Sequence, residues 1–179
     1  MLKKAIFSGF GGQGVLMMGS SLAHAAMNEG YYVTYLPSYG AEVRGGTANC
    51  TVAVSDDEIS SPVASEPDYL VVMNSPSLAT FQNKVVFNGT IFLNSSIVEA
   101  RPSRQDVQVC AVPCGDVAQE LGNSRVANIV LMGAFIRKTN IVSAEAYLKC
   151  IENILGSKKK SVAEVNRKAF NAGYDFAKD

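Results

Sequence analysis

Charge is scarce in this sequence of 179 residues, which also has one histidine and no tryptophan. Charged residues make up 18% of the chain, where an average soluble domain has about 25%. Hydrophobic residues make up 47%, a share that excludes intrinsic disorder and indicates that part of the surface is an interface. The 16 basic and 16 acidic residues balance, so no net field attracts nucleic acid or an anionic membrane. We expect neither as a partner.

Clustered metal ligands are also missing from the sequence. The four cysteines are Cys50, Cys110, Cys114 and Cys150, and three residues separate the closest two. Zinc and iron–sulfur sites use tighter ligand sets, and the single histidine, His24, does not complete one. A lone histidine in a helical segment is more typical of a packed or surface residue than of a catalyst. We therefore predict no metal site and reduced, mostly buried thiols, as in a cytoplasmic protein.

Long hydrophobic runs are absent too, since no stretch approaches the roughly 18 apolar residues of a membrane-spanning helix. Lys3, Lys4 and the segment Ala23-His24-Ala25 imitate a secretory signal with its cleavage site. The glycines between positions 9 and 14 break the apolar segment that such a signal requires. We expect a cytoplasmic protein that is neither exported nor membrane-spanning.

Short apolar runs alternate with helix-forming segments along the chain. We predict strands at residues 4–8, 31–35, 47–54, 69–73, 91–93 and 107–112, the second of them stopping at Pro37. Helices are predicted at about residues 15–28, 75–81, 116–122, 126–137 and 143–155 and from about residue 161. This alternation predicts an α/β fold, with a Rossmann-like, doubly wound, mostly parallel sheet and C-terminal helices in a single domain over residues 1–179.

Three helix starts carry capping signals in the sequence. Ser75 is predicted as an N-cap before Pro76, and capping boxes are predicted at Asp116 with Gln119 and at Ser161-x-x-Glu164. One alternative concerns the neighbouring strand, because Asn88-Gly89 is also typical of a hairpin turn. Such a turn would join residues 85–87 to residues 90–93 instead of leaving a parallel strand.

A glycine-rich turn at residues 9–14, G-F-G-G-Q-G, matches the pattern G-x-G-x-x-G between a strand and a helix. Glycines there allow a tight turn and bring backbone N–H groups close to a phosphate. The alternative is a turn that serves only close packing of strand on helix. An NAD site also needs an acid at the end of the second strand, where the chain has Thr34-Tyr35-Leu36-Pro37 and the first acid after it is Glu42. The turn therefore favours an anion or phosphate over a nicotinamide cofactor.

A second glycine-rich segment follows at residues 37–47, P-S-Y-G-A-E-V-R-G-G-T. Arg44 precedes Gly45 and Gly46, so a permanently charged guanidinium stands next to exposed backbone N–H groups. Such a loop suits a phosphate or a carboxylate. The alternative is a surface ion pair between Arg44 and Glu42, which contributes little energy. Tyr39 suits stacking on a base or a partner, and packing equally.

Together the two segments resemble the signature of the pyruvate/ketoacid oxidoreductase gamma family. Later segments agree with that resemblance: residues 67–72, Gly89-Thr90 before a strand that ends in Asn94-Ser95-Ser96, and Asn128 in a buried helix. The resemblance covers about residues 3–175. It implies a gamma subunit of a 2-oxoacid:ferredoxin oxidoreductase, an enzyme that oxidatively decarboxylates a 2-oxoacid, transfers the acyl group to coenzyme A and passes electrons to ferredoxin.

The same resemblance implies that alpha and beta subunits, with a delta subunit as a further candidate, are the partners and hold thiamine diphosphate and the iron–sulfur clusters. Gly115-Asp116-Val117 indeed lacks the third glycine of a thiamine-binding Gly-Asp-Gly start. The implied role of this chain is to help receive coenzyme A as cosubstrate, with no catalytic residue of its own, and 2-oxoglutarate is the favoured substrate over pyruvate or a branched-chain oxoacid. The residues predicted to bind are Gly9, Gly11, Gly12, Gln13, Gly14, Tyr39, Glu42, Arg44, Gly45, Gly46 and Thr47.

Two other functions compete with this one. A freestanding NAD-dependent Rossmann oxidoreductase would use the same glycine turn, but the missing acid counts against it. A purely structural subunit that binds no ligand would use both glycine-rich segments for packing.

Overall fold

The computed structural model describes residues 1–40, 46–154 and 160–178. This part of the chain forms one six-stranded sheet with helices on both faces. The strands are β1 (Leu2–Phe10), β2 (Tyr32–Tyr39), β3 (Thr47–Ser55), β4 (Tyr69–Val72), β5 (Thr90–Asn94) and β6 (Gln108–Val112). The helices are α1 (Val15–Asn28), α2 (Ser75–Phe81), α3 (Cys114–Glu120), α4 (Ala127–Thr139), α5 (Ala144–Ile154) and α6 (Lys160–Phe176), with 3₁₀ turns at Gln82–Lys84 and Ser124–Val126.

The sheet has the strand order β2-β3-β1-β4-β5-β6. Strands β1, β4, β5 and β6 are parallel to one another, while β3 runs antiparallel to both of its neighbours. The predicted α/β fold with a mostly parallel sheet is therefore confirmed. Its one irregularity is β3, which returns from β2 as a hairpin and lies between β1 and β2. Strand β2 is consequently an edge strand.

Aromatic side chains fill the larger of the two cores, on the sheet face that α1 and α4 cover. The ring of Phe135, on α4, lies edge-on to three rings of the sheet, with centroid distances of 5.6 Å to Phe7, 5.1 Å to Phe92 and 5.6 Å to Tyr69. Side chains alternate between the faces of a strand, so the neighbouring residues Ile6 and Ile91 point to the other face and pack in a smaller core with Leu78 of α2. Helices on both faces thus bury the centre of the sheet.

Helices α4 and α6 approach each other at two glycines. A Cβ atom added at Gly133 would overlap the backbone carbonyl of Phe170, and one added at Gly173 would overlap that of Val130. Backbone-to-backbone contact of this kind leaves no room for a methyl group on either helix. It fixes the C-terminal helix against the buried one.

Strand β2 does not stop at Pro37, as the sequence had led us to expect. It continues to Tyr39, and Pro37 stands opposite Cys50 in the pairing with β3. The N–H of Gly40 donates to the carbonyl of Thr47 on β3 over 2.9 Å, so even-numbered positions of β2 direct their polar backbone groups to β3. Odd-numbered positions, Pro37 among them, face outward. Proline is tolerated there because an edge strand loses no ladder hydrogen bond on its outer side.

Two of the predicted helix caps are wrong, one by a single residue and the other by three. Asn74, not Ser75, caps α2, since its side-chain oxygen accepts a 2.9 Å hydrogen bond from the N–H of Ser77. Helix α3 begins at Cys114, which places Asp116 in its first turn, where its carboxylate accepts from the Ser96 hydroxyl. The same hydroxyl accepts a hydrogen bond from the N–H of Asp116. Ser96, which is distant in the sequence, thus satisfies an N–H group that a local capping residue would otherwise satisfy.

The third capping box and the hairpin alternative are wrong too. Ser161 lies within α6 as described, and Glu164 pairs with Lys168 one turn further on instead of reaching back. Asn88 adopts a left-handed conformation with φ of 58°, but residues 85–87 form no strand, and β5 pairs in parallel with β4. The other predicted strands and helices are confirmed, with bounds that shift by at most a few residues.

All four cysteines are free, and Cys50, Cys114 and Cys150 are buried. Within the described ranges, no group of three or more His, Cys, Asp or Glu side chains is placed to hold a metal ion. Among the helices of the same ranges, none combines the length and the apolar character that crossing a membrane requires.

Burial of Cys50 gives the fold a dependence on alkaline pH. Burial raises the pKa of the Cys50 thiol to about 12 from an ordinary value of 9.0. Between these values the unfolded chain has lost the proton and the folded chain retains it, so the free energy of unfolding falls as pH rises through this window. We expect chemical denaturation of Cys50→Ala to show a shallower fall from pH 9 to 11 than the wild type. If the free energy of unfolding falls equally with pH in both proteins, the buried Cys50 thiol is not a cause of the fall.

Candidate functional site

The two glycine-rich segments meet at the carboxyl end of β1. The N–H of Gly11 donates to the carbonyl of Gly46 over 2.9 Å, and Phe10 pairs with Thr47 in the register of β1 and β3. Residues that lie more than thirty positions apart in the sequence are therefore joined by their backbones. Glu42, Arg44 and Gly45 of the predicted site lie outside the described residues.

The glycine turn ends in the first turn of α1. Gly14 is the N-cap residue of this helix in a left-handed conformation, with φ of 76°, and among the described residues no side chain caps the helix. The positive end of the helix dipole and the first N–H groups of α1 therefore face the turn. Helix carbonyls in the same turn are held by the sheet: Cys50 Sγ donates to Val15 O over 3.5 Å and the Tyr35 hydroxyl to Leu16 O over 3.3 Å.

A recess of about 230 Å³ opens beside the turn, between α1 and β3. Its lining consists of Phe10, Gly11, Gly12, Gly14, Val15, Leu16 and Ala48. Tyr39 pairs with Ala48 on the neighbouring strand, and directly opposed residues share a face of the sheet. The Tyr39 side chain, which is 59% exposed, thus projects on the side of the recess. Glycine backbone, apolar walls and one exposed phenol are brought together here.

Gln13 joins the glycine turn to the loop after β4. Its side-chain oxygen accepts from the N–H of Phe10 over 2.7 Å and from Nδ2 of Asn74 over 3.1 Å. Its amide nitrogen donates to the carbonyl of Met73 over 3.1 Å. The crevice between β1 and β4, where α1 and α2 leave the sheet on opposite faces, is the usual ligand position of a doubly wound fold. The Gln13 side chain bridges that crevice.

The glycines of the turn differ in what surrounds them. A Cβ atom at Gly9 would lie 2.7 Å from Gln13 Oε1, and one at Gly14 would overlap the side-chain amide of Asn128. A Cβ atom at Gly12, by contrast, would have no described atom within 4 Å, although φ is 102° there. Packing explains Gly9 and Gly14, as the alternative interpretation of the motif proposed, but it does not explain Gly12.

Asn74 and Asn128 were not predicted as part of the site. Asn74 follows a strand directly and precedes Ser75-Pro76, and an asparagine in that position is a helix-cap signal that the sequence did contain. Asn128 lies on α4, and only the fold brings it against Gly14. His24 stands apart on α1, exposed, with Nδ1 2.7 Å from the Ser20 carbonyl.

Alanine substitutions should separate the two kinds of glycine. We expect Gly14→Ala to lower the free energy of unfolding more than Gly12→Ala, because Gly14 combines positive φ with overlap of a buried side chain. Gly12→Ala adds only backbone strain, of about 1 kcal/mol. Urea denaturation measures both. Equal losses of unfolding free energy in the two variants would show that the Asn128 side chain moves aside at no cost.

One protein family matches almost the whole chain. The family model described as pyruvate ferredoxin/flavodoxin oxidoreductase matches residues 4–176. The chain belongs to this family. The resemblance to its gamma subunits that the two glycine-rich segments indicated is confirmed.

Relatives within the pyruvate ferredoxin/flavodoxin oxidoreductase family include separate subunits and longer chains. The sequence is 35% identical to 2-oxoglutarate synthase subunit KorC of Methanocaldococcus jannaschii, covering 100% of this chain and 96% of that one. It is 36% identical to ketoisovalerate oxidoreductase subunit VorA of Methanothermobacter thermautotrophicus, covering 96% of this chain but 36% of that protein. The chain thus spans about a third of the length of that relative.

Two solved structures superpose along nearly the whole of this chain. The gamma subunit of a keto/oxoacid ferredoxin oxidoreductase from Geobacter sulfurreducens has a TM-score of 0.82 and 30% identity, covering 98% of both chains. A 2-oxoglutarate:ferredoxin oxidoreductase from Magnetococcus marinus has a TM-score of 0.91 over 99% of this chain and 31% of its own, at 23% identity. The second likeness concerns the fold alone.

Proposed function

We propose that the chain is the gamma subunit of a cytoplasmic 2-oxoacid:ferredoxin oxidoreductase, which oxidatively decarboxylates a 2-oxoacid to acyl-CoA. The end-to-end correspondence with a gamma subunit and with KorC supports this role. Alpha and beta subunits, and a delta subunit where the enzyme has one, would hold thiamine diphosphate and the iron–sulfur clusters and pass electrons to ferredoxin. This chain would not be active alone.

Within that enzyme, the chain would help to bind coenzyme A. The observation that carries this proposal is the hydrogen bond from Gly11 to Gly46, which places both glycine-rich segments beside one open recess. The N-terminal end of α1 favours a phosphate group, and the guanidinium of Arg44 would add charge. The apolar walls at Val15, Leu16 and Ala48 suit an apolar portion of the same molecule.

The predicted binding residues then divide by role. Gly9, Gln13 and Gly14 shape the turn through their packing and hydrogen bonds. Gly11, Gly12 and Tyr39 border the recess or project on its side. Gly46 bonds to Gly11, and Thr47, the first residue of β3, pairs with Phe10. Glu42, Arg44 and Gly45, which lie outside the described residues, would contribute to the proposed site as well.

The proposed substrate is 2-oxoglutarate, which the name of the KorC relative supports. The ketoisovalerate relative has nearly the same identity. Assay of the assembled enzyme with 2-oxoglutarate, pyruvate and ketoisovalerate at equal concentration tests the choice, and a higher kcat/KM for either of the other two would overturn it.

The NAD-dependent alternative is disfavoured by the position of Gln13. A dinucleotide lies across the crevice at the switch point of a doubly wound sheet, and the Gln13 amide bridges that crevice with two hydrogen bonds, to Met73 and Asn74. The end of β2 also lacks the acid that would hold a ribose.

Gly12→Val tests the turn as a binding site, with Gly30→Val as the matched control. Both glycines have positive φ, of 102° and 88°, and neither has a described atom near its added Cβ. The two variants should lose similar stability, but only Gly12→Val places its side chain beside the recess. We expect the assembled enzyme to keep its thermal shift with coenzyme A in Gly30→Val and to lose it in Gly12→Val.

An unchanged response to coenzyme A in Gly12→Val would remove the turn from the site. If NADH shifted the wild type as well, the nicotinamide alternative would replace the proposal. A wild type that responds to neither molecule would favour the structural subunit.

Arg44→Ala tests the second loop. Replacing a charged residue of a polar loop is not among the usual causes of severe destabilisation, so we expect the enzyme to assemble normally. We expect the KM for coenzyme A to rise by about tenfold, the effect of one lost charge-assisted contact, while the KM for the 2-oxoacid changes little. Arg125→Ala, at an exposed position in the 3₁₀ turn before α4, controls for lost charge. Equal kinetics for both variants would contradict a role for Arg44.

A further inference from the structure

Among the described residues, the outer edge of β2 has few of the features that usually keep a strand edge from pairing with another chain. Its eight residues, Y-V-T-Y-L-P-S-Y, include no charged side chain. Edge strands of monomeric proteins are commonly protected by lysine, by proline, by a bulge or by being short. Here Pro37 is the one such feature within the strand, and it stands near one end.

The backbone of β2 offers hydrogen-bonding groups to that edge at alternate positions. Because the N–H of Gly40 points to Thr47 on β3, the outward groups belong to Val33, Tyr35, Pro37 and Tyr39. Val33 and Tyr35 present a donor and an acceptor each, whereas Pro37 presents only a carbonyl. A strand that pairs fully with this edge must therefore be centred before Pro37.

The side chains between these positions project from the face of the sheet opposite α1. Tyr32 is 51% and Leu36 is 42% exposed, although both are large and hydrophobic. Thr34 lies midway between them, and its hydroxyl is buried with no hydrogen-bond partner in the part of the chain that the structure describes. An unpaired buried hydroxyl costs about 1–3 kcal/mol.

We infer that β2 pairs antiparallel with β2 of a second copy of this chain, about a twofold axis at Thr34. In this register Val33 and Tyr35 exchange backbone hydrogen bonds with Tyr35 and Val33 of the second copy. Tyr32 lies opposite Leu36 of the second copy, and the reverse pair forms on the other side of the axis. Each copy covers the exposed hydrophobic side chains of the other.

The axis brings the two Thr34 residues opposite each other. Rotation about χ1 lets their hydroxyls bond to each other, a recurrent pair between neighbouring strands. Centring the pairing on Tyr35 or Leu36 instead would place Pro37 opposite Val33 or Tyr35 and lose a hydrogen bond. The position of Pro37 thus disfavours these later registers, and the register centred on Thr34 also pairs Thr34 with itself.

The strand is suited to its own copy for two reasons. It carries no charge, so self-pairing brings no like charges together. On the face opposite α1, its two exposed large hydrophobic side chains, Tyr32 and Leu36, also stand at equal distances from Thr34 in the sequence, and a twofold axis therefore places one on the other. A C2 interface demands this kind of self-complementary surface.

Sedimentation of the full chain tests the interface through Leu36→Glu, with Leu2→Glu as the matched control. Leu2 is 49% exposed on the same face, but it lies on β1, two strands from the edge. We expect a concentration-dependent dimer whose Kd rises at least about tenfold in Leu36→Glu, because two apolar pairs are lost in each dimer. Leu2→Glu should leave the Kd unchanged. A wild type that stays monomeric, or equal effects of the two variants, would overturn the inference.

Cross-linking tests the register independently of stability. In a Cys110→Ser background, Thr34→Cys should form a disulfide-linked dimer, since opposed residues of a non-hydrogen-bonded pair have Cα atoms about 4.5 Å apart. Thr51→Cys, opposite Leu36 on β3, is the control and should not cross-link. Equal rates for the two variants would overturn the register.

The same variant tests which molecule occupies the edge. In the assembled enzyme, cross-linking of Thr34→Cys to another subunit instead of to a second copy would overturn the choice of occupant. The response to coenzyme A should be unchanged in Leu36→Glu, which separates this inference from the proposed function.

Discussion

The antiparallel pairing of β3 with β1 is the constraint on which the rest of the molecule depends. Nine residue pairs, from Leu2 with Ser55 to Phe10 with Thr47, insert β3 into a sheet that is otherwise parallel. The inserted strand begins at the carboxyl end of β1, so the second glycine-rich segment has to reach the first one. The same insertion moves β2 to the edge of the sheet. The composition of the site and the exposure of the edge therefore have one cause.

Local patterns in the sequence predicted the elements well and their arrangement less well. Apolar runs and glycine boundaries located β1, β4, β5 and the buried helix α4, because those signals act over a few neighbouring residues. The passage of β2 through Pro37 could not be predicted in the same way, since it depends on β2 being an edge strand. The cap of α3 had the same difficulty, because Ser96 reaches it from another loop.

The candidate site shows a similar division. Both glycine-rich segments were identified from the sequence, and the fold joins them through Gly11 and Gly46. The sequence could not distinguish Gly12 from Gly14, because the difference lies in Asn128, which belongs to a distant helix. Nor could it predict that Gln13 would bond to the loop after β4. Motifs of this kind specify a turn, and neighbours in space decide which of its atoms are free.

The first turn of α1 is held by side chains from the two strands that carry the second loop. Cys50 bonds to the carbonyl of Val15, and Tyr35 of β2 bonds to that of Leu16. A molecule that displaces this helix end has to move the two strands with it or break both bonds. Only such a displacement links occupancy of the turn to the position of the β2 edge, because linkage requires a change that both share. A molecule that binds the turn without moving the helix end leaves both bonds, and the edge of β2, as they are.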